Sequence, residues 1–230
     1  MYWGFFYFQR MDFKITEFPE LEFGTVYCIG RNYTLHIEEM KSKRTEDPVV
    51  FIKPRSSLIR NGENILLPGN IGEVHHEAEL VLLIGNKASH VKTSEADSYV
   101  KAFAAGIDVT ARDLQSAAKK DGLPWALSKG FNTFAPVGNF IPYLKEKTDL
   151  SNLQLRLTVN GAVKQDDTTS NMIFTTDALI SYLSTKFTLY PGDLIFTGTP
   201  SGVGKISTGD SVRVSLGNDD SVLEVKVVSE

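Results

Sequence analysis

Two glutamates, Glu77 and Glu79, lie in the run His75-His76-Glu77-Ala78-Glu79-Leu80-Val81-Leu82-Leu83-Ile84. Read as a strand, this run places residues two apart on one face. Glu77 and Glu79 then point together, while Ala78, Leu80, Leu82 and Ile84 point away. Carboxylates held so close repel each other unless a cation sits between them. Hard oxygen donors suit Mg2+, Mn2+ or Ca2+ better than zinc. The same two residues also fit a solvated strand end, and the pair alone does not separate these readings. A third oxygen donor is offered by Asp108 in Ala104-Ala105-Gly106-Ile107-Asp108-Val109-Thr110. An aspartate at such a strand–helix junction also serves as a cap. A second constellation is His36 and Glu39, three residues apart and so on one face of a helix. Glu39 would accept from one imidazole nitrogen and leave the other to take a proton from water. An exposed polar turn is the alternative there, given Glu38, Lys41, Lys43 and Arg44 alongside.

The elements that must position these groups are mostly strands. Thr25 to Ile29 is a short β-rich run ending at Gly30, Val49 to Lys53 is stopped by Pro54, and Glu77 to Ile84 is stopped by Gly85. Leu153, Leu155, Leu157 and Val159 alternate with polar residues and meet Asn160-Gly161, a strong hairpin signal. Asp193 to Thr197 follows a Tyr190-Pro191-Gly192 turn, and the tail alternates at Val212 and Val214 and again at Leu223, Val225 and Val227. Helices are fewer. Ser94 suits the cap of a helix through Tyr99 and Phe103. Thr110 suits the cap of another through Lys120, with Asp113 as its reciprocal partner and Gly122 past its end. Thr176-Asp177 opens a third, with Leu179, Ile180 and Leu183 at helical spacing.

The expected architecture is α+β and β-rich. A small N-terminal cap and lid over residues 11–50 precedes a catalytic β-rich domain over residues 51–230. Residues 1–10, with Tyr2, Trp3, Phe5, Phe6, Tyr7 and Phe8, read as an upstream extension ahead of Met11. A chain of 230 residues buries roughly 70–75% of its unfolded surface, enough to hold a rigid site. The net charge of −4, with 24 basic residues spread along the chain, gives a nucleic-acid partner no electrostatic footing. No run is apolar for long enough to span a membrane. The single cysteine, Cys28, permits no disulfide within the chain and fits a reducing, cytoplasmic setting.

Several motifs then carry a resemblance. Ile107-Asp108-Val109-Thr110-Ala111-Arg112-Asp113-Leu114-Gln115, the His-His-Glu-x-Glu-Leu run before it, and Gly30-Arg31-Asn32-Tyr33-Thr34-Leu35-His36 resemble the signatures of the fumarylacetoacetate hydrolase family. So do Ser128-Lys129-Gly130-Phe131, Thr169-Ser170-Asn171-Met172-Ile173-Phe174, and Ile195-Phe196-Thr197-Gly198-Thr199-Pro200-Ser201-Gly202-Val203-Gly204. The similarity runs from about Tyr27 to the end, in the family's order. It is closest to the small acylpyruvate hydrolases and oxaloacetate decarboxylases. Thr34-Leu35 depart from the Ala-Asp found before the histidine in many relatives.

The resemblance implies a mixed β-sheet roll or barrel with few helices and a flexible lid. It implies Glu77, Glu79 and Asp108 as ligands of Mg2+, with Mn2+ or Ca2+ as substitutes, and His36 with Glu39 as a proton-transferring dyad in the lid. Lys129, a lone lysine after Trp125-Ala126-Leu127-Ser128, would neutralise a developing enolate oxygen; a snorkelling surface lysine is the alternative. Arg112 and Gln115 would hold a substrate carboxylate, with an ion pair to Asp113 or another acid as the other use of Arg112. Thr199 would donate to the same carboxylate, and Lys53 is a further substrate-binding candidate or a strand-end residue. His75 and His76 are left a supporting hydrogen-bonding place, since Mg2+ prefers oxygen. The implied activity is hydrolysis of a carbon–carbon bond in an acylpyruvate-like 2-oxo acid. Oxaloacetate decarboxylation and 2-hydroxyhepta-2,4-diene-1,7-dioate-type isomerisation are alternatives on the same site, and a non-enzymatic 2-oxo-acid or metal-binding protein is the alternative of another class. Family analogy implies a homodimer.

Overall fold

The structure is a computed structural model that describes residues 13–40 and 43–230. The extension expected over residues 1–10 lies outside the described residues. The largest sheet is mixed. Its main path runs in the order Val49–Lys53, Val26–Gly30, Leu194–Phe196, Ala78–Ile84, Val100–Ile107, Ala135–Val137, Leu58–Arg60. The pairings of Leu194–Phe196 with Val26–Gly30 and of Ala135–Val137 with Leu58–Arg60 are parallel; the others along this path are antiparallel. The sheet therefore takes strands from both sides of residue 50. A second sheet of five strands has the order Ala162–Thr168, Gln154–Val159, Ser211–Leu216, Ser221–Ser229, Asn64–Leu67. Four α-helices are described: α1 (Thr34–Glu39), α2 (Arg112–Asp121), α3 (Ala126–Lys129) and α4 (Thr176–Lys186). The chain is thus β-rich α+β with a curled mixed sheet, as its motifs imply.

The strand Ala78–Ile84 explains how the sheet packs. All seven of its residues are buried. Ala78, Leu80, Leu82 and Ile84 join the core shared with the five-stranded sheet, whereas Val81 and Leu83 join a smaller core with Val26, Cys28 and Phe196. A central strand covered on both faces reads as a continuous apolar run, which is what the sequence shows. Glu79 shares its face with Val81 and Leu83, so its carboxylate is carried into the protein rather than to solvent. The Asn160-Gly161 hairpin forms as its residues require. Both central residues are left-handed, φ 51° and 79°, and the flanking strands pair in antiparallel register.

Two local expectations are corrected. Phe103 is not helical: a 3-10 turn over Thr93–Tyr99 gives way at Val100 to a strand that pairs with Ala78–Ile84. A short apolar run serves a buried strand as well as a helix, and here the long-range pairing decides. Thr110 caps no helix; it lies in a two-residue strand, and α2 begins at Arg112. Asp113 does not answer Thr110 but accepts from the backbone N–H of Glu73 at 2.9 Å. The third expected helix, α4, opens at Thr176 as its spacing predicts, and Thr175 Oγ1 caps it by accepting from Ala178 N at 3.3 Å. Among the described residues, no helix is long and apolar enough to cross a membrane.

Candidate active site and metal centre

Strand register brings the acids together. Ala78 lies opposite Ile107 and Glu79 opposite Gly106, and the N–H of Asp108 donates to the carbonyl of Glu77 at 2.8 Å. Asp108 thus sits one residue beyond its strand, facing the residue just before the partner strand. One oxygen from each of Glu77, Glu79 and Asp108 lies within 4.8 Å of the others. Glu77 is 5% exposed and Glu79 1%, which excludes the solvated strand end.

Cations surround the acids. Lys129 Nζ donates to Glu77 Oε2 at 2.7 Å, Asp108 Oδ2 at 2.5 Å and Thr110 Oγ1 at 2.7 Å. It is 2% exposed, so it is no surface lysine. Arg112 Nη2 donates to Glu77 Oε1, and Nη1 to Gln115 Oε1 at 2.6 Å. Arg112 therefore makes its ion pair with Glu77 and not with Asp113. Its Nε reaches His75 Nδ1 at 3.3 Å, and His76 Nδ1 lies 3.0 Å from Gln165 Oε1, so both histidines support the site from outside it.

Lys53 has a different place from the one its residue type suggested. It is 1% exposed, lies against Asp108, and does not line the cavity. Its ammonium donates to the carbonyls of Val109 at 3.0 Å, Phe134 at 2.8 Å and Lys129. With those three N–H groups engaged, none is left for substrate. Asp108 Oδ1, 2.8 Å from Nζ, receives its charge but no hydrogen bond.

The electrostatics follow from burial and these contacts. Burial alone would push the Glu77 carboxyl up, but Lys129 and Arg112 prevail and hold it well below the usual carboxylate range. Among the described residues no cation forms an ion pair with Glu79, and the charge of Lys129 is outweighed there. Burial first and the Asp108 charge second push its carboxyl well up. Burial opposes the charge on Lys129, yet Asp108 and Glu77 hold its proton more tightly than usual. Three clustered carboxylate oxygens, a buried Asp108 oxygen that accepts no hydrogen bond, and a Glu79 carboxyl without an ion-pair partner among the described residues form a donor set that fits a divalent cation.

The loops around the acids are fixed from afar. Gly198 N donates to Glu79 Oε2 at 2.7 Å from a backbone with φ 100°. A Cβ there would come within 2.7 Å of the Asn32 side chain, so only glycine fits. Asn32 in turn donates to the carbonyls of Thr197 at 2.7 Å and Phe174 at 3.0 Å, tying the start of α1 to the Gly198 turn. On α1, His36 Nδ1 lies 3.5 Å from Glu39 Oε2, and Glu39 also accepts from Gly202 N at 3.2 Å. Burial lowers the His36 pKa, with Glu77 and Glu39 acting the other way.

His36, Glu77, Glu79, Arg112, Gln115, Lys129 and Thr199 line one cavity. Asp108 joins them through Lys129, and Glu39 through His36. Sequence reasoning missed Gln165, 1% exposed, whose amide accepts from Ala78 N at 2.9 Å and donates to Thr199 Oγ1 at 2.8 Å and Pro200 O at 3.0 Å. It lies in the polar run Lys164-Gln165-Asp166-Asp167, and nothing local marks it out. Arg31 and Lys119 also line the cavity without having been assigned a role. Arg31 alone carried a signal, as the residue after a strand-ending glycine.

Comparison with known proteins finds relatives in sequence and in fold. A mitochondrial oxaloacetate tautomerase from Arabidopsis thaliana is 43% identical over 191 residues, 83% of this chain and 85% of the relative. A mitochondrial oxaloacetate decarboxylase from Dictyostelium discoideum is 39% identical over 204 residues, 88% of this chain and 93% of the relative. The crystal structure of fumarylpyruvate hydrolase from Pseudomonas aeruginosa in complex with Mn2+ and pyruvate superposes with a TM-score of 0.86 at 32% identity, covering 94% of this chain and 95% of that one. The 2-hydroxyhepta-2,4-diene-1,7-dioate isomerase from Mycobacterium marinum gives 0.79 at 39% identity, covering 90% and 75%. The sequence profile for the fumarylacetoacetate (FAA) hydrolase C-terminal region matches residues 25–228, and the chain belongs to the fumarylacetoacetate hydrolase family.

Proposed function

We propose that the protein is a divalent-metal-dependent hydrolase that cleaves a carbon–carbon bond in an acylpyruvate-like 2-oxo acid, with Mg2+ as its metal. The observation that carries this reading is His36, buried and 3.5 Å from the more exposed Glu39, lining the same cavity as Glu77 and Glu79 of the carboxylate triad. Glu77, Glu79 and Asp108 would hold the cation. A divalent ion bound there supplies Lewis-acid charge for the oxygens of a 2-oxo acid. Arg112 and Gln115 orient the substrate carboxylate, and Thr199 borders it. Glu39 steadies the His36 ring, and its other nitrogen takes a proton from water. The hydroxyl goes to the acyl carbon. The proton held by His36 returns to the carbon of the departing pyruvate unit. Lys129 serves the oxygen that gains negative charge, and does so by exchanging one of its three present partners.

A second reading is supported by the relatives called oxaloacetate tautomerase and oxaloacetate decarboxylase, 43% and 39% identical. Enol–keto exchange and decarboxylation need the same charge stabilisation but no attacking water. The test is turnover of acetylpyruvate, fumarylpyruvate and oxaloacetate by metal-stripped protein, before and after Mg2+ or Mn2+ is added. Activity that appears only with metal is the expected result. Full activity in chelator, or in the Glu77→Ala variant, would overturn the metal-dependent reading.

A further inference from the structure

Gln165 joins two functional segments, yet the proposed reaction gives it no task. It lies on the strand Ala162–Thr168, at the only buried position of that strand. The strand is bulged beside it. Leu157 pairs with Gln165 and Thr158 with Val163, so Lys164 is an extra residue with no opposite number. Residues two apart share a face in a regular strand, but here Val163 is exposed and Gln165 is buried. Bulges re-aim side chains in this way and are common beside active sites.

Backbone groups fix which way the Gln165 amide points. Ala78 N can only donate, and it lies 2.9 Å from Oε1. Pro200 O can only accept, and it lies 3.0 Å from Nε2. Exchanging the two ends would set donor against donor and acceptor against acceptor. His76 Nδ1, 3.0 Å from the same Oε1, then carries its proton. The second N–H of the amide goes to Thr199 Oγ1 at 2.8 Å. A hydroxyl that accepts this bond must turn its own hydrogen elsewhere. Thr199 is buried, lines the cavity, and donates to no group among the described residues. Its hydrogen is left for what occupies the cavity.

We propose that Gln165 is a positioning residue that fixes Thr199 as a hydrogen-bond donor to the substrate. Gln165 touches no substrate itself and acts through the Thr199 hydroxyl. The proposal rests on the reading that Thr199 borders the carboxylate of a 2-oxo acid, and it deepens that reading. A hydroxyl free to rotate would serve a donor or an acceptor equally. One held by Gln165 takes an oxygen that only accepts, such as a carboxylate, and turns away an amide N–H or a carboxylic O–H. The alignment exists before the substrate arrives, so binding does not have to order it.

The experiment is a double-mutant cycle, read by calorimetry of pyruvate binding to the full-length protein with Mg2+. Gln165→Glu keeps the shape of the side chain and an oxygen for Ala78 N. It puts a second oxygen where the amide nitrogen stood, and any proton on that oxygen goes to Pro200 O. Thr199 then loses its donor and gains an acceptor that draws its hydrogen away from the cavity. Pyruvate should bind roughly tenfold more weakly or worse, the scale of one hydrogen bond to a charged group. In a Thr199→Val background the same change should cost much less, because the hydroxyl it acts through is gone. For acetylpyruvate, KM should rise more than kcat falls, as for a contact made equally in ground and transition states. Mg2+ binding should not weaken, since the strand between Glu77 and Glu79 keeps its hydrogen bond. Thr199→Val alone should weaken pyruvate binding by a similar factor, and Thr199→Ser should restore most of it. These two variants keep the test open if Gln165→Glu fails to fold. Equal losses from Gln165→Glu in both backgrounds would overturn the proposal. So would full pyruvate affinity in Thr199→Val, or a loss in Gln165→Glu that came with weaker Mg2+ binding. Wild-type protein that binds no pyruvate and turns over no acetylpyruvate would instead overturn the 2-oxo-acid reading, and the positioning role with it.

Discussion

The carboxylate floor of the cavity and the helix α1 that brings His36 to it both place an acid beside a base, yet they are held very differently. In the floor, Lys129 has three partners within 2.7 Å, and Glu77 is gripped by Lys129 and Arg112. Lys53 fastens Asp108 from the far side to three backbone carbonyls. In α1 the helix is six residues long with no side-chain cap, its own acid–base contact is 3.5 Å, and Leu35 is 56% exposed. A helix that short does not stand alone in water. It hangs on Asn32 at one end and on the Glu39–Gly202 contact at the other. The difference separates two needs. Charges that must hold a fixed geometry are over-determined by neighbours. The group proposed to transfer a proton rides on an element with few ties.

The sharpest way to break the floor is Lys129→Met. It deletes the central ammonium and leaves Glu77 and Asp108 buried against each other with less positive charge. Loss of one partner from a buried ion pair costs about 3–5 kcal/mol. Chemical denaturation in chelator should show a loss of that order. Added Mg2+ should recover a good part of it, because an ion among the same oxygens replaces the missing charge. Activity should not return, since Lys129 is also proposed to serve the substrate. A stability loss indifferent to Mg2+ would mean that the carboxylates do not hold a cation.

The same contrast governs what the sequence made legible. Glu79, which precedes five consecutive apolar residues, Leu80 to Ile84, marks an anomalous charge, but only the family motifs joined it with Glu77 and Asp108 as a ligand set. The strand Val49–Lys53 was bounded correctly because Pro54 cannot continue a ladder, and the Asn160-Gly161 hairpin because its turn chemistry is local. The partners of these groups were not legible. Lys53 meets Asp108 across 55 positions, and His76 meets Gln165 across 89. Only sheet register joins them, and register is a property of the whole fold. Thr110 misled for the opposite reason. Its local pattern is that of a cap, yet its hydroxyl accepts from Lys129 and donates to the Asp108 carbonyl.

A second variant sharpens the comparison from the other side. His36→Ala removes the proposed base from the loosely tied helix. General bases contribute about 10²–10⁴-fold, so hydrolysis of acetylpyruvate should fall by that factor. Oxaloacetate decarboxylation, which needs no attacking water, should fall less. Stability should change by no more than about 1 kcal/mol, because the imidazole makes one long side-chain contact. If His36→Ala destabilised the protein as much as Lys129→Met, the division between a rigid floor and a lightly held helix would fail. If both reactions fell equally, His36 would have no separate task in water activation.

Glu39→Gln has the smallest expected effect and tests how the dyad is tuned. Burial holds His36 below its ordinary pKa, while Glu77 and Glu39 oppose that lowering. A general base works in its neutral form, so the acid limb of kcat/KM against pH should lie below the usual histidine range. Glutamine keeps an oxygen to accept from the ring and from Gly202 N, but it removes the negative charge that stabilised the imidazolium. The protonated ring loses support, and the acid limb should move to still lower pH. The plateau rate should fall by no more than about tenfold, the scale of one charged hydrogen bond. A limb that moved upward, or stayed in place while the rate collapsed, would show that the group titrating in catalysis is not His36.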